Sequence, residues 1–194
     1  MALTADQYTE AVQARKALRV AAIPNAAASG MKSLTDAGWD GDYVAPNQLS
    51  SCAFDGPVLV LNNWFGWQEL DALPAETKLR LRSLGYLEGI STNKWIDRAL
   101  EIVGLKRSQV YITQACVFLP PSAMGSSIPR LCYAYSIHQV LRLELGGRTP
   151  VALGTAAQRA CLEADIEFVG TQHPSYQGGE RRAQEIASAI RRVM

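Results

Sequence analysis

Short apolar runs recur along this chain at Pro57–Asn62, Gln109–Ala115, Thr149–Gly154 and Ile166–Gly170, each bounded by turn residues and separated by helix-length segments. Side chains of a strand alternate between the faces of its sheet, so a run apolar at nearly every position needs cover on both faces. That is the signature of parallel strands, which can be joined only by long crossovers. The intervening segments Ala75–Leu84, Asn93–Val103, Arg130–Glu144 and Ala156–Glu163 carry apolar residues at helical spacing. A last helix, Glu180–Arg192, gathers Ala183, Ile186, Ala187 and Ile190 on one side and closes the domain. Right-handed crossovers distribute such helices over both faces. The expected fold class is α/β, a three-layer α/β/α arrangement with a central four-stranded parallel sheet.

At 194 residues and 48% hydrophobic content, the chain suffices for one sizeable core. Residues 1–50 read as an N-terminal helical extension and residues 51–194 as the domain proper. In the extension, Thr4–Ala21 suits a helix with Thr4 as N-cap and Asp6 in the first turn, stopping before Pro24. The stretch Asn25–Ser51, rich in Ala, Gly, Ser and Asn, predicts a short helix around Gly30–Ala37 followed by a loop.

Nineteen basic against eighteen acidic residues give a formal charge of +1, so no global field attracts nucleic acid. A nucleic-acid partner would need a local patch. No apolar run is long enough for a secretion signal or a membrane span, which implies no membrane partner and a cytoplasmic location. Cys52, Cys116, Cys132 and Cys161 are widely spaced, and no pair has C-x-x-C spacing. They read as buried thiols, with no metal site.

In a parallel sheet, ligands bind beyond the strand carboxyl ends, where loops converge and helix N-termini present unpaired N–H groups. The segments to examine are Asn62-Asn63-Trp64-Phe65-Gly66-Trp67, Gln114–Pro121, Gly154-Thr155-Ala156-Ala157 and Thr171-Gln172-His173-Pro174-Ser175. Taken with Gly104–Gln114, Pro120-Pro121 and Val151–Ala157, their order and spacing resemble the uracil-DNA glycosylase superfamily over roughly residues 56–192. His173-Pro174-Ser175 matches the start of that family's second catalytic motif. The resemblance implies a uracil-DNA glycosylase-like domain and a monomer with DNA as partner. The implied activity is hydrolysis of the N-glycosidic bond of uracil or another deaminated or modified base. A non-cleaving base-, nucleotide- or DNA-binding protein of the same fold is the alternative.

The departures are specific. The family's first motif begins with Gly and usually has Pro fourth, whereas Asn62–Gly66 keeps only the final Gly. Register with the preceding strand puts Trp64 at the water-activating position; a shift by one residue puts Asn63 there. Gln114 replaces the uracil-reading Asn, with the same donor and acceptor groups on a longer arm. The iron–sulfur members' cysteines are not reproduced, only Cys132 lying near a family position, so no cofactor is expected.

By the resemblance His173 and Asn63 are catalytic, His173 donating an imidazole N–H to the departing base as charge develops on it. Gln114, Phe65, Trp64 and Tyr86 would bind the base, with Trp67 a further aromatic candidate. Glu69 and Asp71 follow the first motif as solvated charges at a helix start or, less simply, as water-orienting acids. Ser175, Ser122 and Arg130 would hold DNA phosphate, with Ser126, Ser127, Arg181 and Arg182 as further candidates. His138, the other histidine, falls beside apolar helix positions and reads as structural.

Overall fold

The four strands are β1 Val58–Leu61, β2 Tyr111–Gln114, β3 Val151–Leu153 and β4 Val169–Thr171, all parallel, in the order β2-β1-β3-β4. These come from a computed structural model that describes residues 2–123 and 127–194. The helices are α1 Ala5–Ala17, α2 Trp67–Ala72, α3 Ala75–Leu84, α4 Ser91–Val103, α5 Arg130–Ser136, α6 Arg142–Leu145, α7 Thr155–Glu163 and α8 Gly179–Arg191.

The apolar runs sort their side chains as the parallel sheet requires. Leu59, Leu61, Ile112, Val151 and Leu153 point to one face and pack with Ile96, Ala99 and Leu100 of α4 and Ala183, Ile186, Ala187 and Ile190 of α8. Val58, Val60, Tyr111 and Ala152 point to the other, against Ile137, Leu141, Leu145 and the α7 residues Ala157, Ala160 and Cys161. The three-layer α/β/α arrangement follows from these alternating faces.

Residues before β1 are packed throughout. Thr4 caps α1 as its sequence indicates: Oγ1 accepts from Gln7 N at 3.2 Å, and Gln7 Oε1 accepts from Thr4 N at 3.0 Å. The helix ends at Ala17, earlier than Ala21, and Val20–Ala22 form a separate 3-10 turn. The helix expected over Gly30–Ala37 is absent. Lys32 instead pairs with Leu119 in an antiparallel bridge, N to O at 2.9 Å and O to N at 2.8 Å, and Gly30 has φ +69°. Trp67 Nε1 donates to Gly30 O at 2.9 Å, with the Lys32 ammonium 3.7 Å from the centre of the same indole. Two backbone hydrogen bonds and an aromatic anchor override the local preference for helix.

Two further differences bear on the site. The expected helix Arg130–Glu144 is interrupted by a π-helical turn at Ile137–Leu141, and His138 is exposed on it. The fourth strand begins at Val169, later than Ile166, because Ile166 N is still bonded to Cys161 O (3.0 Å) in the turn that leaves α7. None of the described helices is long and apolar enough to cross a membrane.

Candidate functional site at the strand carboxyl ends

The chain runs from β1 outward to β2 and then jumps across β1 to β3, so the order reverses between β1 and β3. Loops leaving these neighbours diverge to opposite faces and open a crevice between them. A cleft of about 600 Å³ lies there, lined by residues from the ends of all four strands.

Most of the residues singled out in the sequence meet in it: Asn63, Trp64, Phe65, Tyr86, Gln114, His173 and Ser175 all contribute to its walls. Arg130 does not. It sits over an adjoining hollow of about 350 Å³ with Tyr133 and Arg159 and pairs with Glu163 at 3.2 Å. Ser127 is exposed beside that hollow, and Ser126 lies outside the described residues. Trp67 is likewise absent from the cleft lining.

The first loop is held by its aromatic and amide side chains. Trp64 Nε1 donates to Gly85 O at 2.9 Å, and the indole packs edge-on to Trp39 (5.2 Å) and Phe65 (5.0 Å). An indole has no acceptor, so Trp64 can shape this wall but cannot orient water as a base. Asn63 can accept. It belongs to a directed chain: Tyr133 Oη donates to Asn62 Oδ1 (2.5 Å), Asn62 Nδ2 to Asn63 Oδ1 (2.9 Å) and Asn63 Nδ2 to Phe65 O (3.4 Å). A carbonyl oxygen has two lone pairs, so Asn63 Oδ1 keeps one for an occupant.

Gly66 brings the loop against the segment after Pro121. A Cβ there would lie 1.9 Å from Glu69 Oε2 and 2.5 Å from Ala123 N, which only glycine avoids. Glu69 is more than a solvated charge at a helix start. Its carboxylate accepts from Ser122 Oγ at 2.5 Å and from Ala123 N at 3.1 Å, fastening that segment to α2 at the cleft rim. Asp71 is exposed and does not line the cleft. Glu69→Ala is expected to speed amide exchange at Ala123 about tenfold, the worth of one charge-assisted hydrogen bond. Hydrogen exchange followed by NMR reads this directly, and unchanged exchange would refute the fastening role.

Opposing chemistry comes from the second and fourth strand ends. Gln114 is 2% exposed; its Nε2 donates to Asn47 Oδ1 at 2.8 Å, and its Oε1 is buried with no hydrogen-bond partner among the described residues. Ser175 N donates to His173 Nδ1 at 3.2 Å, and Ser175 Oγ lies 2.7 Å from the same nitrogen. A backbone N–H can only donate, so Nδ1 is the acceptor and the ring proton resides on Nε2. Nε2 has no partner among the described residues. Burial holds the His173 pKa below its ordinary value and keeps the ring neutral.

Two supports hold the imidazole in place. Gly154 has φ +94° and ψ 163°, and a Cβ on it would meet His173 Cβ at 2.8 Å. Arg182 is buried and donates to Gln172 Oε1 and to Gln177 O at 3.1 Å, bracing the loop from within. The exposed Arg181 pairs with Glu185 at 3.2 Å. Tyr86 carries the Arg107 guanidinium 3.6 Å from its ring centre, which fixes the plane of that ring at the cleft.

Sequence reasoning missed Asn47, Asn93 and Asn62, all of which line the cleft. Asn47 and Asn93 are also buried. Asn47 comes from the 3-10 turn Pro46–Leu49, before the region of resemblance, and no local pattern marks it. Among the described residues no three His, Cys, Asp or Glu side chains gather to hold a metal, and Cys116, Cys132 and Cys161 are buried free thiols. Compared with known proteins, the chain matches no family model and no curated sequence.

Proposed function

We propose that the cleft receives a nucleobase extruded from DNA and that the protein hydrolyses its N-glycosidic bond, the base being uracil or another deaminated or modified base. One observation carries this reading: the Gln114 side-chain amide, at the end of β2, lines one cleft with a neutral imidazole whose Nε2–H has no partner among the described residues. An amide side chain and an imidazole N–H have the groups that pair with the alternating N–H and C=O edge of a lactam base. Phe65 and Tyr86 supply the flat faces that a planar ring stacks on.

In this reading each residue has a separate task. Gln114 holds the base edge, and His173 donates through Nε2 to the base oxygen that gains charge as the bond to the sugar breaks. Such a hydrogen bond strengthens as the transition state is approached, so it lowers the barrier more than it tightens binding. Asn63 orients the water that attacks the sugar carbon. Ser175 and Ser122, their hydroxyl protons engaged by His173 and Glu69, would meet the DNA strand through backbone groups at the rim, and the exposed Arg130 would add charge beside them. With the reading go a DNA partner, a monomeric chain and a cytoplasmic setting.

A second reading has one observation in its favour. Trp64 cannot accept a proton, and Glu69, the only carboxylate on the cleft wall among the described residues, is engaged by Ser122 and Ala123. The site as built thus suits base binding without cleavage as well. Oligonucleotides carrying uracil, hypoxanthine, xanthine or oxidised pyrimidines decide between the two. The expected outcome is an abasic product from at least one of them, with His173→Ala slowing release about 100- to 1,000-fold. Binding without product from any of them selects the second reading, and neither binding nor product from a folded protein defeats both.

A further inference from the structure

We propose that Tyr133, a residue of α5 that does not line the cleft, is a positioning residue for the attacking water, acting through Asn62 to hold the Asn63 amide in the orientation whose oxygen can accept from that water. The inference rests on the cleavage reading above, in which Asn63 orients the water, and adds what orients Asn63. An asparagine amide keeps nearly the same shape after a half-turn but reverses its polarity, and only its oxygen can accept. Asn63 is partly exposed in the loop after β1. Its own position does not choose the end.

The choice is made along a chain of three hydrogen bonds. Phe65 O is a backbone carbonyl that can only accept, and Asn63 Nδ2 donates to it at 3.4 Å. Asn63 Oδ1 therefore accepts from Asn62 Nδ2 at 2.9 Å, and Asn62 Oδ1 is left to accept from Tyr133 Oη at 2.5 Å. A half-turn of Asn62 alone would set its oxygen against that of Asn63, and a half-turn of Asn63 alone would set its oxygen against Phe65 O. Phe65 O thus selects the polarity, but through the longest of the three bonds, and the selection holds only while Asn62 stays in line. Tyr133 keeps it there. The Asn62 main chain is already pinned, its O accepting from Cys116 N at 2.9 Å, so the side chain is the part that needs holding. Tyr133 does this from a helix: its ring packs against the apolar layer of Ile137, Leu141 and Ala157 and walls the adjoining hollow. Burial pushes its pKa up, so the hydroxyl keeps the proton it donates. A side chain in a loop is thereby located by a rigid element.

The test is single-turnover base release from whichever of the oligonucleotides above yields an abasic product. Affinity is measured on the same oligonucleotide with a 2′-fluoro group on the target nucleotide, which resists cleavage. Tyr133→Phe is expected to slow release about five- to tenfold, the worth of one neutral hydrogen bond, and to change affinity about twofold or less. In an Asn63→Ala background the same replacement is expected to change the rate about twofold or less, because the residue it acts through is gone. A merely structural role would slow both backgrounds alike. Asn62→Ala is expected to give the same pattern and serves if Tyr133→Phe does not fold. Release at the wild-type rate by the folded variant, a slowing that persists in Asn63→Ala, or a slowing matched by lost affinity overturns this inference and leaves the glycosylase reading standing. No abasic product from the wild-type protein with any of the oligonucleotides overturns the cleavage reading and this inference with it.

Discussion

Replacing Gly154 with alanine is expected to destabilise the protein by about 3 kcal/mol, lowering the melting temperature by roughly 6–12 °C, and to displace His173. Both contributions come from one Cβ atom. The backbone at Gly154, with φ +94° and ψ 163°, lies in a region essentially closed to residues with a side chain. The added carbon would also sit 2.8 Å from His173 Cβ and 3.3 Å from its Cα, well inside van der Waals contact. Neither atom is the free end of a flexible side chain, so the strain moves backbone. The β4 end is tied to Gly154 through Gly154 N–H to Thr171 O at 2.8 Å, and that link is strained too. Thermal unfolding with NMR of the histidine ring measures both effects. A variant with wild-type melting and unshifted His173 signals would mean that Gly154 is not what seats the imidazole.

The second large effect concerns a residue that does not line the cleft. Glu144 is fully buried beneath the sheet; its carboxylate accepts from Gln48 Nε2 at 2.7 Å, Tyr111 Oη at 2.8 Å and Thr113 Oγ1 at 2.9 Å. Burial pushes its pKa up from 4.5 to about 7 against the opposing pull of these donors. Glu144→Ala strands the buried donors and is expected to cost about 4 kcal/mol of stability. Glu144→Gln is expected to behave differently, because an amide reproduces the protonated acid: Oε1 keeps its donors, and the new N–H group faces Thr113 Oγ1. The sign of the pH effect follows from the raised pKa. Between about pH 4.5 and about pH 7 the folded state retains a proton that the unfolded chain releases, so stability falls as pH rises through that window. The Glu144 contribution to this fall is on the order of 3 kcal/mol at most, and Glu144→Gln removes it. Urea unfolding of both proteins at roughly pH 5 and roughly pH 8 isolates it as the difference between their slopes. Identical pH dependence in the two proteins would show that Glu144 does not titrate in this range.

What could be read in the chain depended on the range of the forces involved. The sheet was legible chiefly through Val58–Leu61 and Val151–Leu153, which are buried on both faces and apolar at every position, whereas β2 carries Thr113 and Gln114 and β4 is only partly covered. The cleft residues after each strand followed from topology alone. The Gly30–Ala37 segment misled because its path is decided by Leu119, a residue remote in sequence. Asn47 escaped for the same reason. Glu144 did leave a trace: it shares the helical stripe of Ile137, Val140, Leu141 and Leu145, a position where a carboxylate is out of place unless partners await it. The π-helical turn that carries part of this stripe gives no comparable signal, since it leaves the apolar spacing nearly unchanged.

The strand order also has a consequence for the nascent chain. β1 lies in the interior of the sheet yet is the first strand made, and its register with β3 runs Leu59↔Val151 and Val60↔Ala152. During translation one edge of the β1–β2 pair thus stays open, lined with Leu and Val, until Val151–Leu153 have left the ribosome. Such an edge invites pairing with other chains. Ribosome-bound chains in which Val151–Leu153 have not yet emerged should accordingly depend on chaperones, and release from them should coincide with the emergence of that strand.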